Sequence, residues 1–307
     1  MSVSRAEPLD LVGGAEKSVW MVFTELVKAR LTTLVLLTAA AGYAVGSRGH
    51  FEGWRLLHVL VGTGLLAGGA AALNQYLERD LDKLMSRTQD RPLPSGRITP
   101  RFALVFGGVG ALAGMAWLWG FTTPTASALG AATLALYVLV YTPLKRVSTL
   151  NTVVGAVPGA MPPLIGWAAA TDGLAAGGWS LFALQFFWQI PHFMAIAWLY
   201  REDYARAGLR MLPVVEPDGQ RTGLSSVGHS LGLLTVSLSP VVFGLAGAVY
   251  LAGALVLGGA MVVLAVRFAR RLDAPSARWL FLASVIYLPL VLGLLTFDAP
   301  GSGMGSR

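Results

Sequence analysis

Asn74, Glu78 and Asp82 recur at i, i+4 and i+8 where a long apolar run ends, so a continuing helix stacks their oxygens along one face. Arg79, Lys83, Arg87, Arg91, Arg97 and Arg101 follow within a loop's length. A sparse set of hard oxygen ligands suits Mg²⁺, which uses one or two carboxylates and takes its other ligands from water and substrate phosphates. Guanidinium groups bind phosphate oxygens in pairs. Together, at the mouth of a hydrophobic segment, they suit a ligand with a metal-bound phosphate head and an apolar tail. A solvated helix end is the simpler reading of any one carboxylate. It explains less well an amide embedded several residues deeper on the same face, where polar groups are costly. Asp80 sits opposite that face and reads as an arginine partner or outer-shell group. Pro92, Pro94 and Gly96 should stop the helix and turn the loop back over the site.

The elements that position these groups are membrane helices. The chain is 55% hydrophobic and only 13% charged, about half the charged fraction of a soluble protein. The apolar residues come in long runs separated by short charged bridges, which predicts an all-α polytopic membrane protein. The 37 glycines fit helices that approach closely in a bilayer. Nine spans can be marked near 24–46, 55–78, 102–121, 124–143, 148–170, 178–200, 224–245, 246–266 and 277–297. The seventh and eighth should form a tight hairpin. Residues 1–23 read as a cytoplasmic tail that does not resemble a cleaved signal peptide, 24–297 as one membrane domain, and 298–307 as a short C-terminal tail.

With the N-terminus inside, all of the 23 Lys and Arg except Arg48, Arg55 and Arg307 fall on cytoplasmic segments. The net charge of +7 therefore serves topology in the lipid bilayer and not nucleic-acid binding. It predicts a multi-pass protein of the cell (inner) membrane with its C-terminus outside and its polar site toward the cytoplasm. Cysteine is absent, which excludes disulfides, iron–sulfur clusters and cysteine nucleophiles.

The sixth span carries a second polar stripe. Gln185, Gln189, His192 and Asp203 share one face of a 3.6-residue wheel. Such groups inside a membrane face a cavity or partner helices. His192 could meet an acceptor, axially to a haem iron included, or serve as a hydrogen-bonded packing residue. Tyr141, Lys145 and Arg146 close the fourth span, either as an interfacial belt with snorkelling cations or as a second phosphate clamp. A faint internal echo links the two halves: an acidic cluster then RPLPSGR after the second span, Glu202–Asp203 then RMLPVVEPDGQR after the sixth.

The string NQYLERDLD resembles the first aspartate-rich motif of the UbiA superfamily of intramembrane prenyltransferases. DKLMSRTQDRPLPSGR, YTPLKR and FFWQIPHFMAIAWLYREDYARAGLRMLPVV are similar to the haem-farnesylating branch of that family, the protohaem IX farnesyltransferases. The resemblance runs from Lys28 to the ninth span. It implies a nine-helix bundle around a central cavity and Mg²⁺-assisted ionisation of farnesyl diphosphate, with haem B as the acceptor. It assigns Asn74, Glu78 and Asp82 to the metal and diphosphate, and Arg87, Arg91 and Lys145 to diphosphate contacts, with Arg146 grouped beside them. Asp203 matches what remains of a second acidic motif. Gln185, Gln189 and His192 are carried as cavity or haem contacts. The resemblance leaves room for a homo-oligomer or contact with a haem A synthase.

Three departures stand out: Glu78 replaces an aspartate, Tyr200 and Tyr204 stand where quinone-type relatives place acids, and Ala29 replaces a proline. Two rival readings follow. One is a prenyltransferase of the same fold acting on an aromatic acid or quinone precursor. The other is a membrane transporter for an anionic, lipid-like solute.

Overall fold

A computed structural model describes residues 17–47 and 49–298. Arg5, Arg48 and Arg307 of the charge argument, most of the 1–23 tail, and all of the 298–307 tail but Asp298 lie outside the described residues. The described chain is all-helical. A short helix α1 (Val19–Leu26) precedes α2 (Ala29–Gly46), α3 (Gly53–Asp82), α4 (Pro100–Phe121), α5 (Pro124–Leu144), α6 (Asn151–Thr171) and α7 (Ala176–Leu199). Two short helices, α8 (Arg201–Arg206) and α9 (Leu212–Val215), lead to α10 (Gln220–Val242), α11 (Ala248–Arg271) and α12 (Ala274–Phe297). Among the described residues, 9 helices are long and apolar enough to cross a bilayer.

Local chemistry sets most of the boundaries. Thr99 and Thr123 cap α4 and α5 with a proline at the first helical turn, and Asp273 caps α12 by accepting from Ser276 N–H at 2.8 Å. Only residues 243–247 separate α10 from α11, giving the expected hairpin. The first span differs from the sequence reading of 24–46. It breaks at Lys28, which takes a left-handed conformation with φ of 49°. The break is held from outside: Gln75 Nε2 donates to Glu25 O and Leu26 O at 3.0 and 2.7 Å, satisfying carbonyls that a continuous helix would have used.

α3 is the helix that delivers the site. Its 30 residues extend about 45 Å at 1.5 Å per residue, against roughly 30 Å of hydrocarbon, so its last turns project beyond the apolar core. It packs along α4 with backbones nearly touching. A Cβ at Gly69 would lie 2.5 Å from Ala111 N, and one at Gly114 would lie 2.6 Å from Leu66 N.

α5 departs from regular geometry over Leu136–Tyr141, which forms a π-helical turn just ahead of Pro143. Proline has no N–H and crowds the carbonyl four residues earlier, so the wider turn absorbs the conflict. α6 runs through the middle of the bundle, with 72% of its central window buried against 22% for α5. The largest core cluster lies beyond it, where Trp188, Trp198, Tyr250, Phe268 and Tyr287 join α7 to α11 and α12.

Gly69→Val should force α3 and α4 apart. We expect a loss of about 1–3 kcal/mol, read as a lower melting temperature of the detergent-solubilised protein. Gly108→Val, at a glycine with open space around its Cβ position, should melt like the unsubstituted chain.

Candidate active site

The last turns of α3 carry Asn74, Glu78 and Asp82 along one face into a cavity of about 200 Å³. All three are buried, with Glu78 6% and Asp82 0% exposed. Ionised groups so far from water need compensating charge, and each oxygen group is met from a different segment. Lys28 Nζ, at the break between α1 and α2, donates to Asn74 Oδ1 at 2.7 Å. Lys145 Nζ, just past α5, donates to Glu78 Oε1 at 2.7 Å. Arg91 Nη1, from the loop after α3, donates to Asp82 Oδ1 and Oδ2 at 2.9 and 2.8 Å.

The loop from 83 to 99 folds back over the cavity. Thr88 Oγ1 donates to the Asp82 carbonyl at 2.9 Å, and Gly96 supplies the positive φ of 76° for the return. Lys17 bonds Asp90 at 2.7 Å and Arg97 bonds the other Asp90 oxygen at 2.5 Å, tying the outer edge of the loop to α1. These two cations hold the Asp90 carboxyl below the usual carboxylate range.

The π turn of α5 adds aromatic and hydroxyl groups. Tyr137 and Tyr141 line the cavity wall, and Lys145 Nζ lies 4.6 Å from the Tyr141 ring centre. Thr142 Oγ1 donates to the Tyr137 carbonyl at 2.8 Å and accepts from Asn74 Nδ2 at 3.2 Å. That pair of bonds fixes the amide so that its oxygen, and not its nitrogen, faces Lys28 and the cavity.

The structure brings Asn74, Glu78, Asp82, Arg87, Arg91 and Lys145 together around one cavity. Tyr141 joins them, while Arg146, Asp80, Gln185, Gln189, His192 and Asp203 stay out of the lining. Arg146 is exposed on the turn after α5. Asp80 pairs with Lys83 at 3.4 Å on the outer face of α3. The stripe predicted on the sixth span divides. Gln189 Nε2 donates to Ala156 O and Gln185 O at 3.3 and 3.0 Å, toward α6. His192 Nδ1 lies 2.8 Å from Ser284 Oγ on α12, with its ring stacked 5.2 Å from Trp188. Gln185 is buried between helices.

Asp203 leaves the stripe altogether, because α7 ends at Leu199 and the chain turns into α8. It accepts from Ser86 Oγ at 2.9 Å to both oxygens and pairs with Arg206. Burial acts to raise its carboxyl pKa, but hydrogen bonds from Ser86 and the Arg87 N–H, with the Arg206 charge, hold it below the usual range.

Sequence reasoning missed Lys28 and Tyr137, which line the cavity, and Thr142, which bonds Asn74. The signal for Lys28 was present, as a cation interrupting an apolar run. Nothing in the sequence marked Thr142, whose role depends on the π turn.

The donor set fits a hard divalent cation: one amide oxygen and two carboxylates at the i, i+4, i+8 spacing, all opening on one cavity. Among the described residues, no three His, Asp or Glu side chains gather as a metal-ligand group.

Residues 35–287 match the UbiA prenyltransferase family. The chain belongs to that family. It is 47% identical over 289 residues to a protoheme IX farnesyltransferase of Solibacter usitatus, covering 91% of this chain and 99% of the relative. A protoheme IX farnesyltransferase of Koribacter versatilis is 41% identical over 305 residues, covering 96% and 98%. The fold is similar to that of a digeranylgeranylglyceryl phosphate synthase, with a TM-score of 0.77 at 15% identity over 91% of this chain and 98% of that one. A UbiA homologue from Archaeoglobus fulgidus, bound to GPP and Mg²⁺, matches with a TM-score of 0.62 at 14% identity over 90% and 99%. The chain is thus a multi-pass membrane prenyltransferase with the UbiA fold.

Thr142→Val, which keeps the shape and removes the hydroxyl, should free the Asn74 amide to rotate. We expect prenyl diphosphate affinity to fall roughly tenfold, the effect of about one hydrogen bond, in isothermal titration, and Thr142→Ser to restore it. Unchanged affinity in the valine variant would remove Thr142 from the site.

Proposed function

We propose that this protein transfers the farnesyl group of farnesyl diphosphate to a vinyl group of haem B, with addition of water, giving haem O and diphosphate. The observation that carries this reading is the buried oxygen face of α3 met by cations from three other segments, in a chain 47% identical to a protoheme IX farnesyltransferase over nearly its full length. Support also comes from the shared fold of a homologue solved with a prenyl diphosphate and Mg²⁺.

On this reading Asn74, Glu78 and Asp82 would hold Mg²⁺ beside the diphosphate. When bound, that ion neutralises charge on the departing diphosphate oxygens. Arg87, Arg91 and Lys145 take the remaining phosphate oxygens, so the leaving group departs into a preorganised positive field. For this, Arg91 and Lys145 must exchange part of their bonding from Asp82 and Glu78 to the substrate. In this structure their hydrogen bonds hold the two carboxylates in place at the cavity. Tyr137, Tyr141, Phe193 and Ile196 form the apolar part of the cavity wall. Aromatic faces there stabilise an allylic cation and exclude water from it until the acceptor adds. Both substrates are membrane-soluble, which places the reaction inside a helix bundle.

We further read the basic end of the bundle as cytoplasmic, with the N-terminus inside and the C-terminus outside. Residues 24–297 form the membrane domain between tails 1–23 and 298–307. The prenylation of an aromatic acid or quinone precursor is the second reading, disfavoured by Tyr200 and Tyr204 where acids stand in those relatives.

Purified protein supplied with haem B, farnesyl diphosphate and Mg²⁺ should yield haem carrying a hydroxyethylfarnesyl chain by mass spectrometry. Unmodified haem together with prenylated 4-hydroxybenzoate would refute the assignment. Asp82→Asn, which removes one charge and keeps the shape, should lower kcat by at least about a hundredfold while the protein still inserts and purifies; the estimate follows the loss of a buried charged interaction.

A further inference from the structure

The second acidic motif of this chain is reduced to Asp203, flanked by Tyr200 and Tyr204, and its surroundings are those of a clasp. Asp203 is 7% exposed and does not line the cavity. Its oxygens are already engaged: Ser86 Oγ–H reaches both at 2.9 Å, the Arg87 N–H approaches Oδ2 at 3.4 Å, and Arg206 pairs with Oδ1. A carboxylate has about four lone-pair sites, and three donors already occupy it.

What Asp203 does hold is the loop that carries Arg87. The guanidinium of Arg87 lies 4.8 Å from the Tyr200 ring centre and 5.7 Å from that of Tyr204, and its Nη2 donates to Tyr204 OH at 3.2 Å. Arg87 and Tyr204 both reach the cavity. Beneath them, Met85 packs with Ala207, Leu209 and Met211. The 200–211 segment is itself anchored, since Arg210 N–H donates to Lys145 O at 2.8 Å and Asn151 Nδ2 donates to Arg210 O at 2.9 Å. The backbone of Lys145 thus supports the segment that supports Arg87.

We infer that Asp203 is a positioning residue, which clasps the Ser86–Arg87 turn to the 200–211 segment and sets Arg87 against the diphosphate, and that it does not hold a second metal ion. Tyr200 and Tyr204, in place of acids, form the aromatic cradle for that guanidinium. The inference rests on the farnesyl diphosphate reading above, and the loop contacts stand whichever acceptor is used.

The test compares Asp203→Asn with Ser86→Ala in the purified full-length protein. Mn²⁺ binding in the presence of farnesyl thiodiphosphate is counted by electron paramagnetic resonance, cleavage after Arg87 is timed with trypsin, and KM and kcat are measured. A clasp predicts unchanged Mn²⁺ stoichiometry and affinity in both variants. It also predicts cleavage faster by roughly tenfold and a KM for farnesyl diphosphate raised by roughly tenfold with kcat within about twofold, the scale of one charge-assisted hydrogen bond. The double variant should be no worse than Asp203→Asn alone, because both remove the same contact. Loss of a Mn²⁺ site in Asp203→Asn, with Ser86→Ala indistinguishable from the unsubstituted protein, would overturn the inference. Should Asp203→Asn fail to purify, Ser86→Ala decides the matter: wild-type proteolysis and KM would also overturn it. Failure of haem modification in the unsubstituted protein would refute only the acceptor, since the Mn²⁺ and trypsin measurements involve no haem.

Discussion

Two carboxylates buried at the edge of a membrane bundle set the terms for the rest of this structure. Carboxylates buried there call for compensating partners, and removing one partner of a buried ion pair commonly costs about 3–5 kcal/mol. Their partners come from distant parts of the chain: Lys145 from the end of α5 and Arg91 from the loop that returns over α3. Lys28 adds a third nitrogen donor from the break before α2, held through Asn74. The electrostatics of the site therefore tie together segments that hydrophobic packing alone would leave free to slide.

The scaffold supplies the precision this needs. Glycines at the α3–α4 contact let the two backbones approach, which fixes how far the last turns of α3 project. Gln75, next to Asn74, donates to the Glu25 and Leu26 carbonyls at the helix break and so holds the turn at Lys28 in place. The π turn places Tyr137, Tyr141 and Lys145 on one wall while leaving Thr142 to orient Asn74. In each case an irregularity in one helix is matched by a hydrogen bond from another, the usual condition for irregular backbone inside a membrane protein.

The two segments that echo each other in sequence, after α3 and after α7, meet in space. The first brings Arg87 and Arg91. The second brings Asp203 with Tyr200 and Tyr204, and the apolar contact between Met85 and Leu209 lies beneath. Their association makes a cover for the polar end of the bundle, so the segment that carries Arg87 and Arg91 also shields what lies below it from water.

The sequence by itself determined the class of the protein, the number and approximate position of its membrane helices, and the α3 face of Asn74, Glu78 and Asp82. These follow from local quantities: hydrophobic run length, helical periodicity and the placement of charge. The break at Lys28 lay beyond that reasoning, because it depends on Gln75, which arrives from a different helix. So did the fate of the α7 stripe. Periodicity aligned Gln185, Gln189, His192 and Asp203, but the helix ends at Leu199, Gln189 turns to α6 and His192 to α12. Which cation meets which carboxylate, and which residues reach the cavity, was decided only when the tertiary fold brought segments dozens of residues apart within hydrogen-bonding distance.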